Sequence, residues 1–244
     1  MIRRAFVLAF IIGMLVMGAR GQNEAQRSRE ALIALSKEGS LRPILQVLDK
    51  ANLSGSLEFS GRCTSLNNLH FPEFPQFHAP ATNQDSPLQT LREMFADDPA
   101  MRVTQDSDGT IRMVEKGVST DILNVKIDNI PFESGQPPTQ RPIYDANIAL
   151  MHIFGTPEVE SFMKTHKIET IPGITLLGTI GGKIPPEVPH LSGPLYNVTF
   201  SQAMDSVLKT FPGIWIYENC PQSATKKRFV YFHFFHLPKL DTGN

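Results

Sequence analysis

Phe200, Ala203, Met204, Val207, Leu208 and Phe211 recur at helical spacing, which gathers them on one oily stripe of an α-helix. Thr199-Phe200-Ser201-Gln202 ahead of the stripe has the form of a capping box. Ile214 and Ile216 then start a strand, residues 218–227 loop, and Arg228 to Phe235 (RFVYFHFF) carry the highest β-propensity in the chain. A helix with one apolar face must bury it, and the next elements along the chain are two strands. Helix on sheet is therefore the expected architecture, an α+β fold.

The same plan occurs earlier. Ser86-Pro87-Leu88-Gln89 reads as a capping box with proline at the first helical position, and Leu88, Leu91, Met94 and Phe95 form the stripe. Met101 and Val103 begin a strand, Asp108-Gly109 turns it, and Ile111, Met113 and Val114 return. With Ser86 laid on Thr199, the identical pairs are Gln89/Gln202 and Pro99/Pro212. Pattern is shared, letters are not. Elsewhere, a helix is expected within 22–39, with Ser28 as cap and Gly39 as stop, and a second after Ser40 carrying Leu41, Ile44, Leu45, Leu48 and Ala51. Leu53 to Phe59 reads as a strand and Arg62 to Asp85 as a loop. Glu133 to Pro142 is a polar, proline-rich linker, followed by helices from Tyr144 and from Thr156-Pro157. This predicts two small domains, each with helices packed on a short sheet: residues 40–132 and 143–244, divided near Pro138.

Arg3 and Arg4 precede an uncharged run from Ala5 to Ala19. The run is shorter than the roughly 17–25 residues of a membrane-spanning helix and reads as a secretory signal over residues 1–21, cleaved before Gln22. The alternative is an uncleaved anchor. A periplasmic or secreted location is expected, with no stable membrane insertion after cleavage. Outside the cytosol the two cysteines, Cys63 and Cys220, are candidates for one disulfide closing a long loop. Two buried free thiols are the alternative.

The unit built from Leu195-Tyr196-Asn197-Val198-Thr199-Phe200, Ala203-Met204-Asp205, Val207-Leu208, Ile214 to Tyr217 and Phe229 to Phe232 resembles the short N-terminal (STN-like) domain of secretins and TonB-dependent receptors. A second, more degenerate copy carries Pro87-Leu88, Leu91, Phe95, Met101-Arg102-Val103 and Asp108-Gly109-Thr110-Ile111. The resemblance implies an exported, non-catalytic envelope protein that works through protein–protein contacts. No channel domain is read after the second copy, so a channel or secretion partner is expected to be a separate chain. The resemblance implies no catalytic residue and no cofactor.

The residues themselves point to little chemistry. A formal net charge of −1 gives no field to steer polyanions, so nucleic acid is not an expected partner. The seven histidines form no His-Glu-x-x-His, and His233 and His236 fall on opposite faces of one strand. Gly178 to Lys183 lacks the first glycine and the Ser/Thr of a phosphate loop. Asp97 and Asp98 end a helix and face solvent; Lys226-Lys227-Arg228 reads as a solvated turn. The remaining candidate is Phe71, Phe74 and Phe77, three apart in a proline-rich stretch. In a polyproline II helix they line one side and offer a strip to a partner; folded down, they complete the domain's own core. A secreted hydrolase and an envelope small-ligand binder or sensor stay open as alternatives.

Overall fold

The computed structural model describes residues 41–61, 65–66, 69–70, 74–78, 86–134, 141–170, 189–220 and 228–237. The expected signal segment, the helix within 22–39, Cys63 and Phe71 lie outside them. Residues 43–244 form one compact unit, and the fold is α+β. Helix α1 covers residues 41–50 and buries Ile44, Leu45 and Leu48. Asn52 ends it in the left-handed region at φ 52°, a conformation asparagine tolerates better than most residues. Strand β1 (Gly55–Ser60) follows, then two short strands, β2 (Ser65–Leu66) and β3 (Leu69–His70).

Both expected helix–strand–strand units form. The first is α2 (Pro87–Met94), β4 (Met101–Gln105) and β5 (Ile111–Glu115). After it come a 3-10 turn at Ile122–Asn124, β6 (Lys126–Pro131), and a small antiparallel pair, β7 (Glu133–Ser134) with β8 (Arg141–Pro142). Helices α3 (Ala146–Phe154) and α4 (Pro157–His166) lead to β9 (Ile168–Thr170) and β10 (Pro194–Thr199). The second unit is α5 (Phe200–Thr210), β11 (Gly213–Cys220) and β12 (Arg228–His236). Thr199 and Gln202 close the expected capping box reciprocally, at 3.2 and 2.8 Å. The earlier box is half made: Ser86 accepts from the Gln89 N–H, but the Gln89 amide lies 3.5 Å from the Glu93 carboxylate, one turn along the helix. Thr156 stands at the α4 N-cap without capping it, because its hydroxyl donates to the Ile153 carbonyl at 2.8 Å.

One six-stranded mixed sheet runs β4-β5-β1-β11-β12-β9. Its two hairpins are antiparallel, and β1 lies between them, parallel to β5 and β11. This corrects the expected division near Pro138. Strands from both sides of that point share one sheet, and β1 joins the hairpins that were assigned to separate domains. A linker rich in proline punctuates the chain, but backbone hydrogen bonds across β1 decide what folds together.

A second sheet, β6 antiparallel to β10, was not expected as such. Helices α3, α4 and α5 each touch both sheets, and one core fills the space. At its centre Phe154, Phe200, Phe232 and Tyr217 pack ring on ring at 4.9–5.2 Å, the edge-to-face and tilted geometry that aromatic quadrupoles favour. The opposite face of the large sheet carries Ile111, Met113, Leu57, Phe59, Ile214 and Ile216, all buried. Among the described residues no helix is long and apolar enough to cross a membrane.

Candidate functional site

Strand alternation sets out the polar residues of the helix-facing side. Arg112 on β5, Ser56 on β1 and Trp215 on β11 stand in one row across three strands. Asp205 comes down onto that row from α5. Its carboxylate takes both terminal nitrogens of Arg112, at 2.8 and 2.5 Å, and the Trp215 indole N–H at 2.9 Å. Arg112 also reaches Asp106 at 2.7 Å, and its guanidinium lies 5.8 Å from the Trp215 ring centroid. Burial pushes the Arg112 pKa down, but the Asp205 and Asp106 carboxylates outweigh it and the net shift is upward. In the next row Glu58 neighbours Tyr217. Burial raises the Glu58 pKa even though its carboxylate accepts from the Ser56 hydroxyl at 3.0 Å.

A second network closes the end of the same face. Arg228 donates to Asn219 at 2.6 Å, Asp121 at 2.6 Å and the Tyr217 hydroxyl at 2.8 Å, while Tyr217 donates to the Ser119 carbonyl at 2.6 Å. Burial raises Asp121, yet Arg228 outweighs it and holds the carboxyl below its usual range; burial pushes Tyr217 up to about 12. Arg228 was expected in a solvated turn. Its side chain is only 16% exposed, because it opens β12 and turns back along the sheet. Within each network the charged groups pair with neighbours of the same network. They fasten α5 and residues 119–121 to the sheet.

An open feature lies on the other side of the helices. Asp128, Asn129 and Pro131 of β6, with Met151, His152, Gly155, Thr156, Pro157 and Glu158 at the α3–α4 corner, line a groove of about 650 Å³. A shallower depression of about 390 Å³ continues past Glu158 along α4. Among the described residues β6 pairs with β10 on one side only. On its other edge the Asp128 N–H donates to Glu158 Oε1 at 3.2 Å, and His152 Nδ1 donates to the Pro131 carbonyl at 2.8 Å. Glu158 Oε2 is buried and has no hydrogen-bond partner among the described residues. Met151 is 69% exposed and Tyr196, paired across to Asn129, is 59% exposed; they are the exposed large hydrophobic residues among those described.

The sequence candidates fall elsewhere. Phe74 packs on Phe59 and Phe235 at 6.0 and 6.3 Å, and Phe77 on Phe95 at 5.6 Å. Both are half-buried against the sheet face away from α5, so neither offers a free ring; Phe71 is not described. Cys220 ends β11, buried and disulfide-bonded; its sequence candidate partner, Cys63, is not described. His233 and His236 do not meet as ligands, and no metal-holding group of His, Cys, Asp and Glu occurs among the described residues. Asp97 is solvent-facing, as expected, and pairs with His78 at 2.7 Å. The groove was not legible beforehand. Its only sequence signal was Met151, a large apolar residue just off the buried stripe of α3. No family model matches the chain, and no curated protein and no solved structure does either.

Proposed function

We propose that this is an exported, non-catalytic envelope protein, resident in the periplasm or secreted, that acts through protein–protein contacts in the manner of the STN-like modules of secretins and TonB-dependent receptors. One observation carries the reading: Met151 stands exposed in a groove along β6, whose edge there is unpaired among the described residues, and Tyr196 stands exposed on β10 opposite Asn129 of the groove lining. Large apolar side chains left wet around a concave, partly polar surface are what a partner would cover. The repeated cap–helix–hairpin plan supports the STN-like part. The partner on this reading is another envelope protein, such as a separate outer-membrane channel or secretion component.

The test is a photocrosslinking amino acid placed at Met151, at Tyr196 and, as a control, at exposed Lys50 in the native envelope. The expected result is one and the same protein captured from the first two positions and not from the third. Adducts that do not depend on position, or none from either groove position, would refute the assignment.

A further inference from the structure

We infer that the groove beside β6 takes an extended segment of a partner protein bearing a lysine or arginine, and that Glu158 receives its charge. The inference rests on the protein-contact reading and names the chemistry of the partner.

Three observations converge on a basic, extended occupant. The first is the edge of β6. Among the described residues no strand pairs with it, and two of its outward backbone groups are covered by side chains: Glu158 holds the Asp128 N–H and His152 holds the Pro131 carbonyl. Side-chain covers of this kind blunt an edge yet can swing aside, whereas a strand supplies the same donors and acceptors with better alignment. The second is the Glu158 carboxylate. One oxygen makes a 3.2 Å bond and the other is buried with no partner among the described residues. A buried acceptor left unmade is unfavourable in the free protein, so a donor that reaches it recovers that loss on binding. Rotation about the terminal torsion, which is soft for glutamate, brings either oxygen to the groove. The third is charge and apolar area. The wall between the groove and its continuation carries Glu158 beside exposed Asp128, and Met151 projects next to them. A cationic head matches the carboxylates while its methylene stem, or an adjacent aliphatic residue, covers Met151.

An acidic segment is disfavoured by the same groups. It would bring like charge against Glu158 and Asp128, and its carboxylate side chains would supply no donor to the orphan oxygen.

The experiment titrates the isotopically labelled full chain with two capped peptides, one alternating valine and lysine, the other valine and glutamate, followed by amide chemical shifts. The valine–lysine peptide is expected to move the amides of Asp128, Asn129 and Glu158, and the valine–glutamate peptide to move none of them. Glu158→Gln should weaken the first peptide about tenfold, the size of a lost charge-assisted bond, with an unchanged thermal midpoint as the check on folding. Asp128→Asn keeps the backbone N–H and gives a smaller loss, about threefold. Glu158→Lys should transfer binding to the valine–glutamate peptide. No shift in the groove amides, or equal binding of both peptides, would overturn the inference. Position-specific adducts from Met151 combined with charge-indifferent peptide binding would overturn the basic occupant alone and leave the contact reading standing.

Discussion

The Arg112–Asp205 pair links the two helix–strand–strand units through a bidentate contact, and removing either partner should cost more than a surface ion pair. The Arg112 side chain is 16% exposed and that of Asp205 12%, so solvent screens the pair little. Breaking a buried pair from one side costs roughly 3–5 kcal/mol, and residual solvent access lowers that range. Asp205→Ala also strands the Trp215 indole N–H, worth about 1–3 kcal/mol when left unmade, while Asp106 still holds part of the Arg112 charge. About 3–4 kcal/mol is the expected loss. Arg112→Met leaves Asp205 with the indole alone and frees Asp106, which is exposed enough to hydrate; about 2–3 kcal/mol follows. The double variant loses the pair once, so it should fall near Asp205→Ala and well short of the sum, a coupling of at least 1.5 kcal/mol or so. Urea unfolding read by Trp215, the only tryptophan of the chain, measures all corners of the cycle from inside the network. In thermal terms each kcal/mol moves the midpoint by about 2–4 °C for a domain of this size. Single losses under 1 kcal/mol, or a coupling within about 0.5 kcal/mol of zero, would show that the clamp does not hold the units together.

His233, its pKa pushed down to about 4 by burial, stays neutral in the fold but binds a proton on unfolding below its usual 6.5, so stability should fall as pH drops through that window. The loss is at most about 3.4 kcal/mol at 1.36 kcal/mol per unit, and His233→Phe should flatten the acid limb of a urea-midpoint profile; an unchanged limb refutes it. Glu58 has the opposite sign: burial raises its pKa, so the folded protein loses stability as pH climbs above the ordinary carboxylate value of 4.5. Glu58→Gln should therefore gain on the wild type in thermal midpoint between pH 4 and pH 8, and a constant difference would contradict the reasoning. Gly213→Ala should cost at least about 2 kcal/mol, because a Cβ there clashes with the Phe235 carbonyl oxygen across the β11–β12 ladder and both atoms belong to paired backbone. A midpoint within a degree or two of the wild type would mean that the hairpin gives way more easily than its pairing implies.

What could be read in advance follows the range of the forces involved. The amphipathic stripe of α5 and the alternation of β4 and β5 are local, and they form as read. β6 escaped because Ile127 and Ile130 are buried three residues apart with two exposed residues between them, a spacing that matches neither a regular strand nor a helix of this length. The most instructive case is Asp205. It sits in the Ala203-Met204-Asp205 centre that carries the family resemblance, on the polar side of an amphipathic helix, where periodicity assigns it to water. Arg112 sits on the polar side of an alternating strand and receives the same assignment. Local periodicity describes each element by itself, but insertion of β1 between the hairpins brings the two polar faces together. Ser56 in the middle of the row is small enough to leave room for the guanidinium, whose terminal nitrogen lies 3.4 Å from its hydroxyl. The division into two domains failed for the same reason: a strand laid down before the first unit pairs with the second through β11, a contact that no local pattern encodes. The groove belongs to this class as well. It forms where β6, paired with a strand more than sixty residues further on, meets the α3–α4 corner, so its polar groups converge only after the long-range pairing is made.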